Sequence, residues 1–425
     1  MMLKLKKYTS SSFLKGVVVM VMGTAGAQVI TLLLSPIITR IYGPDAFGVL
    51  GTFVALINII APIAALTYPI AVVLPKEEDE ALGVVRLSLR ITLIITILSL
   101  IILFFFRNYL INIFNLEEIS SYLFLIPLVI LFSGIMQISE QWLIRTKQFA
   151  INAKVNFLQS IIINVSKVGI GLFNPVASVL VILQVISNGL KAFMMIVFSG
   201  SFRKIRFSTV VKSNLSLIKP LKKYKDFPLF RAPEVLLSAF SQNLPVLLLT
   251  AFFGPASAGF YTIGRSVLSL PSRLIGKAVG DVFYPHITEA ANRNENITRL
   301  IARATIALII VGIIPFGVII LFGPSLFKFI FGTSWEYAGE YARWISLLSF
   351  SIFINRPSIR SLPVLNAQGF LLAYTVIILV VQSISLVIGF YIFNSDLVAV
   401  ALFGITGLIL NIILIILTIK KSRKL

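Results

Sequence analysis

ITLIITILSLIILFFF, residues Ile91–Phe106, decides how the rest of the chain is read. No charge interrupts it, and its only polar members are Thr92, Thr96 and Ser99. A helix needs ~20 mostly apolar residues to cross a hydrocarbon core ~30 Å thick. Extending the run back to Val84 supplies them, with Arg86 and Arg90 gathered at one end. Composition agrees: the 425 residues are 58% hydrophobic and 12% charged. A water-soluble fold carries about 25% charged residues, so most of this surface faces a bilayer.

Working outward from Val84–Phe106, apolar runs broken by Pro, Gly or charge predict about twelve spans. The first six lie near Gly16–Thr39, Ala46–Leu74, Val84–Phe106, Ser120–Leu143, Asn156–Phe173 and Val176–Ser199. The second six lie near Leu229–Phe253, Ala256–Gly276, Leu300–Phe322, Glu340–Leu362, Phe370–Phe393 and Leu397–Ile419. Gly16–Thr39 follows Lys4, Lys6, Lys7 and Lys15, as a signal peptide would. Its apolar part exceeds a signal peptide's core and no convincing cleavage site follows, so it is expected as a span. The chain has no cysteine and only His286. It therefore offers no disulfide, no thiolate nucleophile and no His-pair zinc site.

The charge is lopsided, 37 Lys+Arg against 16 Asp+Glu for a formal +21. The excess follows topology. With the N-terminus cytoplasmic, the even-numbered loops and the C-terminus hold Lys76 and Arg86, Arg145, Lys147 and Lys154, the run from Arg203 to Arg231, Arg293 to Arg303, and Lys420 to Lys424. The opposite loops hold little beyond Arg40, Arg107, Lys328 and Arg343. That alternation obeys the positive-inside rule. It places both termini in the cytoplasm and makes a nucleic-acid partner unnecessary.

The halves echo each other. Gly43-Pro44-Asp45-Ala46-Phe47-Gly48 follows the first span and Gly254-Pro255-Ala256-Ser257-Ala258-Gly259 the seventh; Ile113-Phe114-Asn115 is answered by Ile330-Phe331-Gly332. Six spans per half is an even number, so the repeats are parallel and related by a pseudo-two-fold axis along the membrane normal. The expected organisation is a six-helix lobe over residues 1–200, a basic cytoplasmic linker over 201–228 and a second six-helix lobe over 229–425. The linker's lysines also suit anionic membrane lipid, at ~1 kcal/mol per basic residue near the surface.

Several stretches resemble one family: Gly23-Thr24, SPIITRIYGPDAFGVLGTF (Ser35–Phe53), AVVLPKEEDEA (Ala71–Ala81), Leu270-Pro271 through Asp281-Val282-Phe283-Tyr284-Pro285, and FKFIFGTSWEYAGEYAR (Phe327–Arg343). They are similar to the Wzx-type oligosaccharide flippases of the multidrug/oligosaccharidyl-lipid/polysaccharide (MOP) superfamily. The resemblance implies an all-α polytopic fold of two lobes around an alternately opening cavity in the bacterial inner membrane. It also implies a substrate, an undecaprenyl-pyrophosphate-linked oligosaccharide moved from cytoplasmic to periplasmic leaflet for O-antigen, capsule or related surface polysaccharide. It implies a single-chain transporter without cofactor or catalytic residues, working beside a polysaccharide polymerase and co-polymerase.

Such a head group calls for cations inside the membrane, where every ionisable residue is expensive. Arg265, Arg273, Lys277 and Asp281 recur at spacings that share one face of the eighth span, with Arg265 ~14 Å deep. Lys167 lies ~17 Å from Asn156 in the fifth span, Lys191 lies in the sixth, and Arg356 and Arg360 flank Pro357 in the tenth. These seven cations are the expected anion-binding set, each also readable as a snorkelling or buried structural charge. Gln28, Asn58, Asn164 and Asn243 could meet sugar hydroxyls or simply join helices. Glu140 and Asp281 are the candidates for ion coupling, and Glu234 is the other acid expected inside a span. The chain holds no G-x-x-x-x-G-K-[ST] loop, so a P-loop ATPase is excluded. Behind the flippase stand a peptidoglycan-precursor flippase and a drug/cation antiporter. The antiporter would need embedded carboxylates. A membrane polymerase or ligase would need larger external loops than Asn174-Pro175 or Asn394–Asp396.

Overall fold

The computed structural model describes residues 12–114, 117–199, 218–272, 283, 286–291, 293, 295–365 and 367–423. Among these there is no strand, and twelve helices are 17 residues or longer. We number them α1 (Ser12–Ile41), α2 (Pro44–Ile60), α3 (Glu78–Phe114), α4 (Ile126–Arg145), α5 (Phe149–Gly171), α6 (Ala177–Phe198), α7 (Ala232–Phe253), α8 (Pro255–Pro271), α9 (Ile297–Phe331), α10 (Glu336–Ile354), α11 (Gln368–Tyr391) and α12 (Asp396–Ser422). Nine helical stretches among the described residues are long and apolar enough to cross a membrane; α5, α8 and α10 fall outside that set. Outward apolar faces are what lipid requires: Ile94, Phe104 and Phe105 on α3, and Ile310, Ile314 and Leu321 on α9, are all more than half exposed. This is an all-α polytopic membrane fold.

The chain divides into two compact units, Met1–Leu244 and Pro245–Leu425. In the first, α1 runs along α5, α4 packs on α3 and α6, and α5 packs on α6. In the second, α10 packs on α8, α9 and α12, and α12 also takes α11. Between membrane helices there is no hydrophobic driving force, so close approach of small residues carries the packing. At Gly23 an added Cβ would lie 2.4 Å from the Ala153 Cβ, and at Gly339 it would lie 2.4 Å from the Pro324 Cα.

The Gly-Pro echo has a structural meaning. Pro44 and Pro255 sit in the first turn of α2 and α8, where a missing N–H costs nothing. Gly254 has φ 86° and Gly332 has φ 111°, values that glycine adopts without a Cβ penalty. Asn115, the counterpart of Gly332, lies outside the described residues, as does most of the basic linker, 201–217.

Two expected spans are corrected. Ala46–Leu74 is not one helix: α2 ends at Ile60 and the apolar run continues as 3-10 turns, Ala61–Ile63 and Tyr68–Val73. Pro62 and Pro69 cannot donate to a helical ladder, and Leu66 and Thr67 take positive φ. The Arg145 guanidinium braces the stretch, donating to the carbonyls of Val72 (3.1 Å) and Pro75 (2.6 Å). The tenth span likewise stops at Ile354, and a separate short helix, Arg356–Ser361, follows with Pro357 in its first turn.

Candidate functional site

Helices α1, α4, α5 and α6 line a cavity of about 530 Å³ within the first unit. The α5 wall is a stripe, Asn156, Gln159, Ser160, Ile163, Asn164 and Lys167, at the three- and four-residue steps that keep side chains on one helical face. Facing it, α1 presents Thr24, Ala27, Gln28 and Thr31, α6 presents Gln184, Ser187 and Lys191, and α4 presents Glu140. This stripe makes α5 too polar to stand among the nine apolar stretches.

Hydrogen bonds tie the walls together. The Ser160 hydroxyl donates to the Ala27 carbonyl at 2.9 Å and lies 3.1 Å from the Thr31 hydroxyl. The Asn164 amide donates to Thr31 Oγ1 at 3.2 Å. Gln159 donates to Ser187, joining α5 to α6. Asn152 donates to Glu140 Oε1 at 3.3 Å, joining α5 to α4. At the far end Tyr42 Oη donates to the Lys167 carbonyl at 3.0 Å. Against this, neither the Lys167 nor the Lys191 ammonium has an ion pair or hydrogen bond among the described residues. Both lysines are half-buried. Two lysines without a carboxylate partner, among amides and hydroxyls, make a surface that can take an anion and neighbouring sugar hydroxyls.

Five of the residues singled out from sequence, Gln28, Glu140, Asn164, Lys167 and Lys191, therefore line one cavity. The others lie elsewhere. Asn58 is exposed on α2. Asn243 donates at 2.7 Å to the Ala239 carbonyl of its own helix. Arg265 is half-buried on α8, in the second unit. Arg356 and Arg360 sit on the short helix after α10, Arg356 half-buried and Arg360 exposed. Arg273, Lys277 and Asp281 lie outside the described residues. Glu234, expected inside a span, is exposed in the first turn of α7 and pairs with Arg231 at 2.6 Å.

Asn156, Gln159, Gln184 and Ser187 carry no charge and none stands out singly in the sequence; their helical spacing is the signal that unites them. A second cluster carried no local signal at all. In the second unit, Asp396 at the start of α12 accepts from Tyr337 Oη (2.9 Å), Tyr341 Oη (2.6 Å), Ser257 Oγ (2.7 Å) and the Leu397 N–H (2.7 Å).

Known proteins agree with this architecture. The chain is 22% identical over 353 residues to the succinoglycan biosynthesis transport protein ExoT of Rhizobium meliloti (strain 1021), covering 82% of this chain and 67% of that protein. Its fold matches an inward-facing multidrug resistance MATE family transporter of the MOP superfamily, with a TM-score of 0.74 at 14% identity over 93% of this chain and 96% of the other. It also matches the lipid II flippase MurJ in an inward closed conformation, at 0.72 and 14% identity over 95% and 87%. Residues 37–340 match the family described as polysaccharide biosynthesis protein. An all-α membrane chain matched over that length belongs to the polysaccharide biosynthesis protein family, and its fold is similar to those of the MATE transporter and MurJ structures.

Proposed function

We propose that the chain is a flippase that moves an undecaprenyl-pyrophosphate-linked oligosaccharide from the cytoplasmic to the periplasmic leaflet of a bacterial inner membrane, by alternating access and without covalent chemistry. The observation that carries the reading is the first unit's cavity, where two lysines with no partner among the described residues stand among amides and hydroxyls. Lysine supplies a point charge for a diphosphate. Gln28, Asn164 and Gln184 supply the donors and acceptors that sugar hydroxyls need. Family membership supports a polysaccharide pathway, and the relative named for succinoglycan biosynthesis transport supports export of its product. A cation antiporter is less well served, because the lining has Glu140 against two lysines. In this reading both termini are cytoplasmic, a single chain is the working unit, and a polymerase and co-polymerase take the product. Arg265, Arg273, Lys277, Arg356 and Arg360 remain proposed as cations that assist the head group.

The test is export of polysaccharide per molecule of inserted protein in a strain lacking the chromosomal copy. Lys167→Gln combined with Lys191→Gln is expected to abolish export and to build up lipid-linked sugar on the cytoplasmic side. Wild-type export by that double variant would overturn the reading.

A further inference from the structure

The two cavity lysines are not side by side. The Gln159–Ser187 hydrogen bond fixes the register between α5 and α6, which are antiparallel neighbours joined by residues 172–176. Lys167 stands eight residues from Gln159 toward that connection, and Lys191 four residues from Ser187 away from it. At 1.5 Å of rise per residue the two backbones are ~18 Å apart along the helix axes. That is more than half of a ~30 Å hydrocarbon core. Side chains on a helix lean toward its N-terminus. Lys167 therefore leans away from the α5–α6 connection and Lys191 leans toward it, each into the cavity and toward the other.

We infer that Lys191 and Lys167 are two separate diphosphate-binding stations, met in succession along one polar path, rather than the two jaws of one clamp. The inference rests on the flippase reading above and deepens it. A charge crossing the membrane beside α5 and α6 leaves the reach of one ammonium as it enters the reach of the other. Gln159, Gln184 and Ser187 lie in the interval and keep that passage polar. The stations are unequal. Asn152 holds Glu140 at 3.3 Å, and Asn152 is three residues from the α5 position level with Lys191. The carboxylate thus stands at the Lys191 end and weakens anion binding there, while among the described residues no acidic side chain lines the Lys167 end.

Inorganic pyrophosphate titrated calorimetrically into the full chain in lipid nanodiscs tests this. The wild type is expected to show two sites, the tighter one belonging to Lys167. Lys167→Gln and Lys191→Gln each remove one site and leave the other within about twofold, the additivity expected of positions this far apart. The double variant binds none, and Glu140→Gln tightens the site left in Lys167→Gln. Lys167→Arg and Lys191→Arg keep both sites, which separates loss of charge from loss of fold. One wild-type site abolished by either single substitution describes a clamp and overturns the inference while leaving the flippase reading intact. A single site that depends on one lysine alone overturns it as well, giving the other lysine a different anionic group. No pyrophosphate binding by the wild type, or undiminished export by the double variant, removes the cavity as a diphosphate path and takes the flippase argument with it.

Discussion

The α5–α6 cavity and the Asp396 cluster are both polar groups set in apolar helices, yet their bonding is opposite. Around Asp396 the carboxylate takes four donors, from α8, α10 and its own helix, at 2.6–2.9 Å. Those four donors match the roughly four acceptor positions of a carboxylate. In the cavity, hydroxyls and amides join α1, α5 and α6, but Lys167 and Lys191 have no partner among the described residues. A polar network closed on itself holds helices together. One that keeps its cations unspent is equipped for something that arrives. Polarity inside a membrane is therefore not one signal; the state of its bonding separates scaffold from site.

The largest expected effect falls on both regions alike. Gly23→Leu drives a side chain into Ala153, and Gly339→Leu drives one into the backbone at Gly323 and Pro324. Overpacking costs ~1–3 kcal/mol and more where backbone must move, so little folded protein of either variant should be recovered from membranes by size-exclusion chromatography. The next pair tells the regions apart. Asp396→Ala strips the acceptor from Tyr341, whose side chain is fully buried, at ~1–3 kcal/mol for each group left unsatisfied. Its thermal unfolding midpoint in detergent should drop, with export per inserted molecule unchanged. Lys167→Gln should do the reverse, leaving the midpoint level or higher and lowering export on the order of tenfold, the worth of one ~1.4 kcal/mol contact. A Lys167→Gln protein that unfolds early and exports normally would erase the distinction drawn between the regions.

Smaller changes sharpen it. Tyr337 is 39% exposed, so Tyr337→Phe removes one hydrogen bond of ~1 kcal/mol and strands nothing buried. Its unfolding midpoint should fall clearly less than that of Asp396→Ala. Smallest of all is the pair between Lys328 and Glu336, 2.8 Å apart and about half exposed. Exposed ion pairs are worth ~0–1 kcal/mol, and Lys328→Ala should move neither midpoint nor export beyond error.

Most of the architecture could be read from the chain because a bilayer imposes one simple demand, long apolar helices, and runs such as Ile91–Phe106 and Leu300–Phe322 meet it openly. Sequence and structure differ where composition and conformation part company. Ala46–Leu74 carries no charge and is largely apolar, so its mean hydropathy does not mark the point where Pro62, Leu66 and Thr67 end the helix. Of the site, single charges such as Lys167 and Lys191 stood out, since an embedded cation is conspicuous. Asn156, Gln159 and Ser160 on the same stripe do not stand out, because they are uncharged and only their spacing unites them with Asn164 and Lys167. Asp396 stands at the end of a short turn, where a carboxylate is ordinary. Its partners, Ser257, Tyr337 and Tyr341, come from distant parts of the sequence and no local pattern announces them.

The polarity of α5 bears on how the chain is made. A nascent segment partitions into lipid from the translocon according to its own apolar content, and this helix, carrying Lys154, Lys167 and the amides of Asn156, Gln159 and Asn164, is a poor candidate to leave alone. Its neighbours α4 and α6 lie within strongly apolar stretches, and only residues 172–176 separate it from α6. Biosynthesis would then hold α5 at the channel until α6 emerges and release the two as a hairpin, the stripe already shielded against its neighbours. Truncation after Gly171 should strand α5 outside the bilayer, and extension through Phe198 should bring it in.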